Sequence, residues 1–573
     1  MNDPADEFKV LVLDAHSNAT LSILQSLGRA GYRTSLAGSS PNVTSWCSRY
    51  ARERFVYPDP LTSSLEFKSW LVDLQQRNRF DFVLPVTDNT IYPLMELRRE
   101  SRPVGVLVLP TEDAFPWVFD KTKTVELAKE VGVPVPETVL IDSRSWDPEA
   151  FNSYPLFVKP VQSKVWSRGK GHELQPRLAR DRGELETAVE QFVDYGAVGV
   201  QAYVRGPGVG IGVFCEDGEV LVSFAYQRVH EYPLTGGAST YRMSIEMPQE
   251  LLLASERMLH RIRWQGVAMV EFKRTPDVFW LMEINGRFWG SLPLPVFSGV
   301  DFPRILMDYL ARGRRPAPQT YRRGLYARKP GMDFVWFKEN VKADRTDPYL
   351  LTRPVVASLV EPLRILLGNE RWDHATWRDP RPIVQTISKT IREEIRLRWK
   401  QLGLFAVLRR ARSKTHRLLD RSNKRRILVL CYGNICRSPF VGQYLGQLLD
   451  NHGYEVRSSG FHPRVGRRTP DKFQELAREM EVRLEEHRSS MIDEQMIDWA
   501  DLIVIMDCEN YQLLHRYGRQ ATRKSIWLGA VLEGKGVEIR DPYGESRQQM
   551  RAILTRLKLA SEELAARIRA RPE

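Results

Sequence analysis

The sequence predicts a multidomain α/β protein, and three observations carry that prediction. Short apolar runs alternate with helical stretches over about the first 115 residues. Between Tyr154 and Asn285 the pattern changes to strands and hairpins with interspersed helices. At Arg426 a fresh apolar strand begins a second α/β region. A length of 573 residues allows three or four domains at roughly 150 residues each. A hydrophobic content of 42% and a charged content of 27% suit packed cores rather than wholesale disorder.

Taken in order, Lys9 to Asp14 reads as a buried strand and Ala19 to Ala30 as a helix closed by Gly31. Tyr32–Ala37, Phe82–Val86 and Val104–Leu109 are further strands, which makes 1–115 a doubly wound parallel sheet. A helix is expected over Phe115–Val133 and a closing helix over Pro303–Arg312. Residues 316–385 carry Pro, Trp and Arg without a clear period, and 388–426 reads as basic helix. The expected domains are 1–115, 116–315, a linker at 316–425, and 426–573.

Composition excludes several classes. The five cysteines are odd in number and mostly far apart, which argues for reduced thiols rather than a disulfide framework. Cys431 and Cys436 have no second Cys/His pair at zinc-like spacing. The N-terminus lacks a signal-peptide pattern and no apolar run reaches about 20 residues, so a cytoplasmic protein is expected. The formal charge of +13 is concentrated in 388–426, where fourteen basic residues face three acidic ones, a net of +11. The remainder is close to neutral, so the sequence gives no reason to expect nucleic-acid binding.

Ile427 to Pro439 has the order strand, loop, helix, with Cys431 and Arg437 in a C-x5-R spacing. A loop of that form wraps a phosphate with successive backbone N–H groups, and a helix N-terminus adds its dipole. The same dipole lowers a nearby thiol pKa from about 8.5 towards ~3.5–7.5, giving a thiolate nucleophile. Arg437 offers a planar fork to two phosphate oxygens. Ser438 can hydrogen-bond the departing thiolate, and Asn434 can hold the loop in shape. Pro439 is expected at the first helical position. Asp541, before Pro542 and Tyr543, supplies the acid that the leaving oxygen needs.

With Ser458-Ser459-Gly460, His487-Arg488-Ser489 and the run Ala500–Asp507, these residues resemble the low-molecular-weight protein tyrosine phosphatase family over about 426–565. The resemblance implies Cys431 as nucleophile, Arg437 as phosphate ligand and Asp541 as general acid. It implies a phosphate loop of Tyr432, Gly433, Asn434, Ile435, Cys436 and Ser438, and needs no cofactor. Cys436 falls where the family has a second loop cysteine. His487 reads as a structural hydrogen-bonding residue.

The N-terminal half carries a second constellation. Glu271 and the pair Glu283 and Asn285 lie on two strands joined by Thr275-Pro276-Asp277. Alternation puts Glu283 and Asn285 on one face, and an in-register hairpin adds Glu271. These are hard oxygen ligands suited to Mg2+, or Mn2+, with nucleotide phosphates. Arg287 is placed to stabilise a transferring phosphoryl group. Lys159 ends an apolar strand, Lys121 is a second phosphate contact, and 163–171 reads as a lid. Gln201, Ala202, Tyr203 and Val204 form a strand that could meet an adenine edge. Gly206–Gly212 reads as a turn, and Tyr232–Arg242 either as a substrate loop with Arg242 as an anion ligand or as an ordinary glycine-rich connection.

This order of motifs over 8–312 resembles the ATP-grasp superfamily, in its carbamoyl-phosphate-synthase-like branch. The resemblance implies a Rossmann-like domain followed by ATP-grasp α+β domains, ATP with Mg2+ as cofactors, and small-molecule carboxylate and nucleophile substrates joined through an acyl phosphate. Ala202 departs from the acidic residue frequent there. The sequence thus predicts a ligase fused to a phosphatase acting on phosphotyrosine protein or aryl phosphate. A nucleotide-sensing module that gates the phosphatase is the alternative. For 388–426 two readings stand: a helix packed on a neighbouring domain, or one resting on anionic lipid or another acidic partner.

Overall fold

A computed structural model of the chain describes residues 8–570 apart from 101–103, 162–163, 168–169, 276, 421–424, 451, 535 and 546. It divides into two compact units, Met1–Ile391 and Arg392–Glu573.

In the first unit, the initial β–α pattern builds a five-stranded parallel sheet. Its order is Arg54–Val56, Arg33–Gly38, Lys9–Val12, Phe82–Leu84, Val106–Leu107. Val10, Leu11 and Val12 are wholly buried, which is why this strand reads as an unbroken apolar run. The following helix, Asn18–Arg29, is capped by the Ser17 hydroxyl, which accepts from the Ala19 N–H. Asp14 sits at the C-terminal edge of the central strand and accepts hydrogen bonds from Val86 N, Thr87 N and the Thr90 hydroxyl. That clamp fixes the start of the helix Asp88–Arg99.

Two antiparallel-rich sheets follow. The smaller is ordered Arg177–Ala179, Leu156–Pro160, Val198–Ala202, Thr138–Ile141. The larger has seven strands in the order Phe279–Asn285, Gly266–Arg274, Gly208–Glu216, Glu219–Tyr232, Ala238–Ser244, Tyr326–Arg328, Glu370–Trp372.

Several expectations are corrected here. The single helix over Phe115–Val133 is two, Phe115–Phe119 and Lys121–Glu130, because Asp120 turns extended and caps the second through Thr122 N. The glycine run 206–212 is no free turn: strand Gly208–Glu216 starts inside it, and Gly210 and Gly212 leave room for Tyr226 and Trp289. Residues 316–391 are not part of a linker. They supply the last two strands of the large sheet and a helix, Pro330–Lys342. Arg328 binds this segment to itself, with Glu370 at 2.7 Å and Asp333 as partners. The segment 164–173 forms an antiparallel pair, Lys164–Ser167 with Lys170–Glu173, while the tip of the expected lid lies outside the described residues.

The second unit is a four-stranded parallel sheet, Glu455–Gly460, Arg426–Cys431, Leu502–Ile505, Ser525–Trp527. The helix Arg437–Leu448 packs on it together with the long C-terminal helix Arg547–Arg569, around Phe440, Leu445, Leu554 and Leu557. Pro439 stands at the third helical position rather than the first, since the helix opens at Arg437. That is still within the first turn, where a missing N–H costs nothing.

Candidate active sites

In the second unit the strand Arg426–Cys431 ends on the thiol and the chain turns at once into the helix Arg437–Leu448. The Asn434 N–H donates to Cys431 Sγ at 3.2 Å, and the Ser438 hydroxyl lies 3.1 Å from the same sulfur. Asn434 holds a left-handed conformation, φ +49°, which asparagine tolerates better than most residues. Its side chain donates to the Ser438 and Ser458 hydroxyls and accepts from Ser490 N at 2.8 Å. His487 Nε2 lies 2.7 Å from the Asn434 carbonyl, and Arg467 donates to the Gly433 carbonyl at 2.6 Å. The loop is thus fixed from three neighbouring segments before any ligand arrives. Alanine at 434 removes the side-chain bonds while keeping the unfavourable φ. We expect it to destabilise this unit by on the order of 2–4 kcal/mol, seen as an earlier thermal transition of the full chain.

Arg437 is almost wholly buried. It donates to Asp541 Oδ2 at 2.6 Å, to the Ile539 carbonyl at 3.0 Å and to the Asp507 carboxylate. Burial opposes its charge, but Asp541, Cys431 and Asp507 together outweigh that and hold its pKa above the ordinary value. Asp507 also caps the next helix by accepting from Asn510 N. In sequence Asp507 only closes the run Ala500–Asp507, and nothing local marks it as a partner of Arg437. Cys436 is buried, and burial with Asp541 and Cys431 nearby pushes its thiol well up, so it stays protonated. Ile435 packs against the core, while Tyr432 is exposed, with the His462 ring edge-on at 5.5 Å.

In the first unit a cavity of about 350 Å3 gathers Lys121, Lys159, Gln201, Glu283, Asn285 and Arg287. Lys159 donates to Gln201 Oε1 at 2.6 Å, and Gln201 in turn donates to Thr138. Burial and the neighbouring Lys121 bring the Lys159 pKa down to about 8. Two lysines held this close in a buried cleft suit a polyanion. Glu271 and Glu283 are direct cross-strand partners, and the Asn285 amide donates to Glu283 at 2.8 Å. Burial, offset by Arg228 and reinforced by Glu283, raises Glu271 to about 7, whereas Asn285, Lys121, Arg228 and Arg287 overcome burial and hold Glu283 down. Paired buried carboxylates that resist joint ionisation fit a divalent cation, which would neutralise both.

Not every expected residue meets at this cleft. Ala202 ends its strand, and Tyr203 and Val204 lie beyond it, outside the cavity lining. Glu271 is also outside the lining and is tied to Arg228. Arg242 is buried and paired with Asp373 at 2.5 Å, so it is a structural cation rather than an anion ligand in the cleft. Arg228, Thr138 and Asp88 were not expected. Asp88 holds Arg287 at 2.6 Å from the clamped end of the first sheet.

Residues 426–572 match the family model for low molecular weight phosphotyrosine protein phosphatase. The chain is 33% identical over 142 residues to the Escherichia coli low molecular weight protein-tyrosine-phosphatase Etp, which spans 25% of this chain and 93% of that protein. It belongs to the low molecular weight phosphotyrosine protein phosphatase family. The phosphatase region is also 29% identical over 146 residues to a protein-arginine-phosphatase of Geobacillus stearothermophilus, covering 95% of that protein. Residues 197–329 match the family model for ATP-grasp in the biosynthetic pathway with Ter operon. This phosphatase chain is further similar to the crystal structure of biotin carboxylase from Campylobacter jejuni, at 15% identity and a TM-score of 0.45, covering 56% of this chain and 75% of that one.

Proposed function

We propose that the chain carries two enzymes: a cysteine-dependent phosphatase and an ATP-dependent ligase. The phosphatase reading rests on one arrangement, the Cys431 sulfur held by Asn434 N and Ser438 at a helix start, with Arg437 bridging to Asp541. The Cys431 thiolate attacks phosphorus while Arg437 and the loop N–H groups take the charge of the equatorial oxygens. The bond to the leaving oxygen breaks, and the Asp541 carboxyl gives that oxygen its proton. Water then attacks the phosphocysteine, Asp541 takes its proton, and phosphate leaves with the thiolate restored. Tyr432 and Tyr543, flanking the nucleophile and the acid in sequence, are both exposed and offer apolar walls to a flat ring. That favours phosphotyrosine or another aryl phosphate.

Asp541→Asn tests the acid. We expect kcat to fall by about 10²–10⁴ with phenyl phosphate and by much less with p-nitrophenyl phosphate, whose leaving group needs little protonation. Equal losses on both substrates would remove Asp541 from that role. Phosphotyrosine and phosphoarginine peptides, offered in parallel, decide the substrate class.

For the ligase, Lys121 and Lys159 would hold nucleotide phosphates, and Glu283 and Asn285 would hold Mg2+, joined by Glu271 across the strand pair where the cation takes the place of its Arg228 partner. When bound, the cation would neutralise phosphate charge. Gln201, which lines the cleft beside Lys159, would meet the adenine. A substrate carboxylate attacks the γ-phosphorus of ATP, ADP leaves, and the acyl phosphate so formed yields to a nucleophile with release of phosphate. Arg287, poised by Asp88, would stabilise the transferring group.

A further inference from the structure

The first unit holds another cavity, of about 360 Å3, that shares no lining residue with the cleft of Lys121 and Lys159. Three arginines from distant parts of the chain line it. Arg29 ends the helix Asn18–Arg29, Arg371 lies in the strand Glu370–Trp372, and Arg322 precedes the strand Tyr326–Arg328. The Arg371 guanidinium lies over the Phe297 ring at 4.2 Å, and that of Arg322 over the same ring at 5.5 Å. Arg322 also donates to the Phe297 carbonyl at 2.9 Å. Among the described residues none of the three has an ion-pair partner. All three reach solvent, so a small anion can enter.

Elsewhere in this unit buried arginines are answered by carboxylates: Arg328 by Glu370 and Asp333, Arg242 by Asp373. Here like charges crowd instead. Burial, then Arg322 and Arg29, hold the Arg371 pKa below the ordinary arginine value. The helix C-terminus eases the charge of Arg29 and Phe297 eases the other two, but neither supplies a counter-charge. Of the two carboxylates in the lining, Asp373 is committed to Arg242 at 2.5 Å and to the Asn18 amide at 3.0 Å. Asp301 caps the helix Phe302–Arg312 through Arg304 N and accepts from the Ser26 hydroxyl. With Asp373 balanced by Arg242, three guanidiniums against Asp301 leave the lining two charges positive. Two lining rings also carry buried nitrogens without a partner, Trp372 Nε1 and His374 Nδ1. The Asn18 amide nitrogen donates to the Gly290 carbonyl and to Asp373, so Asn18 Oδ1 accepts from His374 Nε2 at 2.8 Å. Burial brings the His374 pKa down to about 4, so the ring is neutral and its Nδ1 is an acceptor. A buried donor and a buried acceptor left unmet both favour a polar occupant.

We propose that this cavity binds a small hydroxylated dianion, a phosphate monoester or a dicarboxylate. Arg322 and Arg371 offer planar forks to its anionic oxygens, Arg29 adds charge, Trp372 donates its indole N–H, and His374 Nδ1 accepts from a ligand hydroxyl. The site is separate from both catalytic assignments and stands whether or not either holds.

The test is labelling of arginines with phenylglyoxal, read residue by residue by digestion and mass spectrometry. The full chain carries Cys431→Ser, so that no phosphate ester is hydrolysed, and is titrated with glycerol 3-phosphate, malate or acetate at constant ionic strength. Arg29, Arg322 and Arg371 should be protected together, at concentrations at least about tenfold lower for a dianion than for acetate. Protection by glycerol 3-phosphate alone assigns a phosphate monoester, and by malate alone a dicarboxylate. Arg323, paired with Glu246, should label at the same rate throughout. Arg322→Gln with Arg371→Gln should raise the concentration that half-protects Arg29 by about tenfold or more. Should that double variant lose its thermal transition, Trp372→Phe, which removes only the indole N–H, takes its place and should weaken protection by about threefold or more. Lys159→Ala should leave protection unchanged. No protection by either dianion, equal protection of Arg323, acetate as effective as the dianions, or undiminished protection in the folded variant overturns the proposal. Protection lost with Lys159→Ala places the anion in the other cleft and overturns it as well.

Discussion

Cys431→Ser is expected to lower hydrolysis of p-nitrophenyl phosphate by the full chain by about 10⁵-fold or more. The serine hydroxyl fits the space of the thiol, beside Asn434 N and Ser438, so folding and anion binding should survive. What disappears is the sulfur nucleophile, and neither the Asn434 N–H nor the Ser438 hydroxyl beside it is a base that could activate a serine oxygen in its place. The variant should therefore still bind inorganic phosphate competitively while turning over nothing. Cys436→Ser is the matching control. Its buried, protonated thiol plays no part in the attack, and kcat should stay within a few-fold of wild type. Parallel collapse of both variants would mean that the loop, rather than the sulfur, was being tested.

The second large effect is expected in the other unit. Glu283→Gln should abolish ADP formation, because it removes the carboxylate that faces Glu271 across the strand pair and that holds the Asn285 amide. The carboxamide keeps the shape and loses the charge, so a divalent ion would be left with too few anionic ligands. Lys159→Ala should raise the Kd for ATP by about 10²-fold, from the loss of a charged hydrogen bond in a buried cleft. Titration calorimetry with Mg·ATP separates the two. Glu283→Gln is expected to weaken the magnesium dependence, and Lys159→Ala to weaken nucleotide binding with or without it. Nucleotide binding without ADP release in the wild type, for every carboxylate offered, would replace the ligase reading with that of a sensor.

How far the sequence reached follows from where the information lies along the chain. The phosphate loop is contiguous, so Cys431, Asn434, Arg437 and Ser438 could be read from spacing. The alternation of Glu283 and Asn285 and the pairing with Glu271 followed from strand geometry. The partners that tune these groups were not legible. Asp507 lies 70 positions from Arg437 and Asp88 lies 199 from Arg287, and nothing local marks either as a ligand. Arg228, which grips Glu271, sits mid-strand like any surface arginine. The strands Tyr326–Arg328 and Glu370–Trp372 are three residues each, too short to show a period, which is why 316–391 read as connection. The break at Asp120 did leave a mark: an aspartate between the apolar run Phe115–Phe119 and Lys121-Thr122-Lys123 is a helix-capping pattern. Arg242 shows the same limit: it sits beside a glycine-rich hairpin that left two readings open, and the partner that decides between them, Asp373, comes 131 positions later.

The most direct test of the phosphatase assignment is to trap its covalent state. The full chain carrying Asp541→Asn, which slows dephosphorylation of the intermediate, is mixed with an aryl phosphate, quenched in acid within milliseconds and digested for mass spectrometry. The account predicts a phosphate on Cys431 at a level close to the enzyme concentration, absent when Cys431→Ser is added to the same chain. Phosphate on another residue, or steady turnover by Cys431→Ser at the rate of its parent, would contradict it.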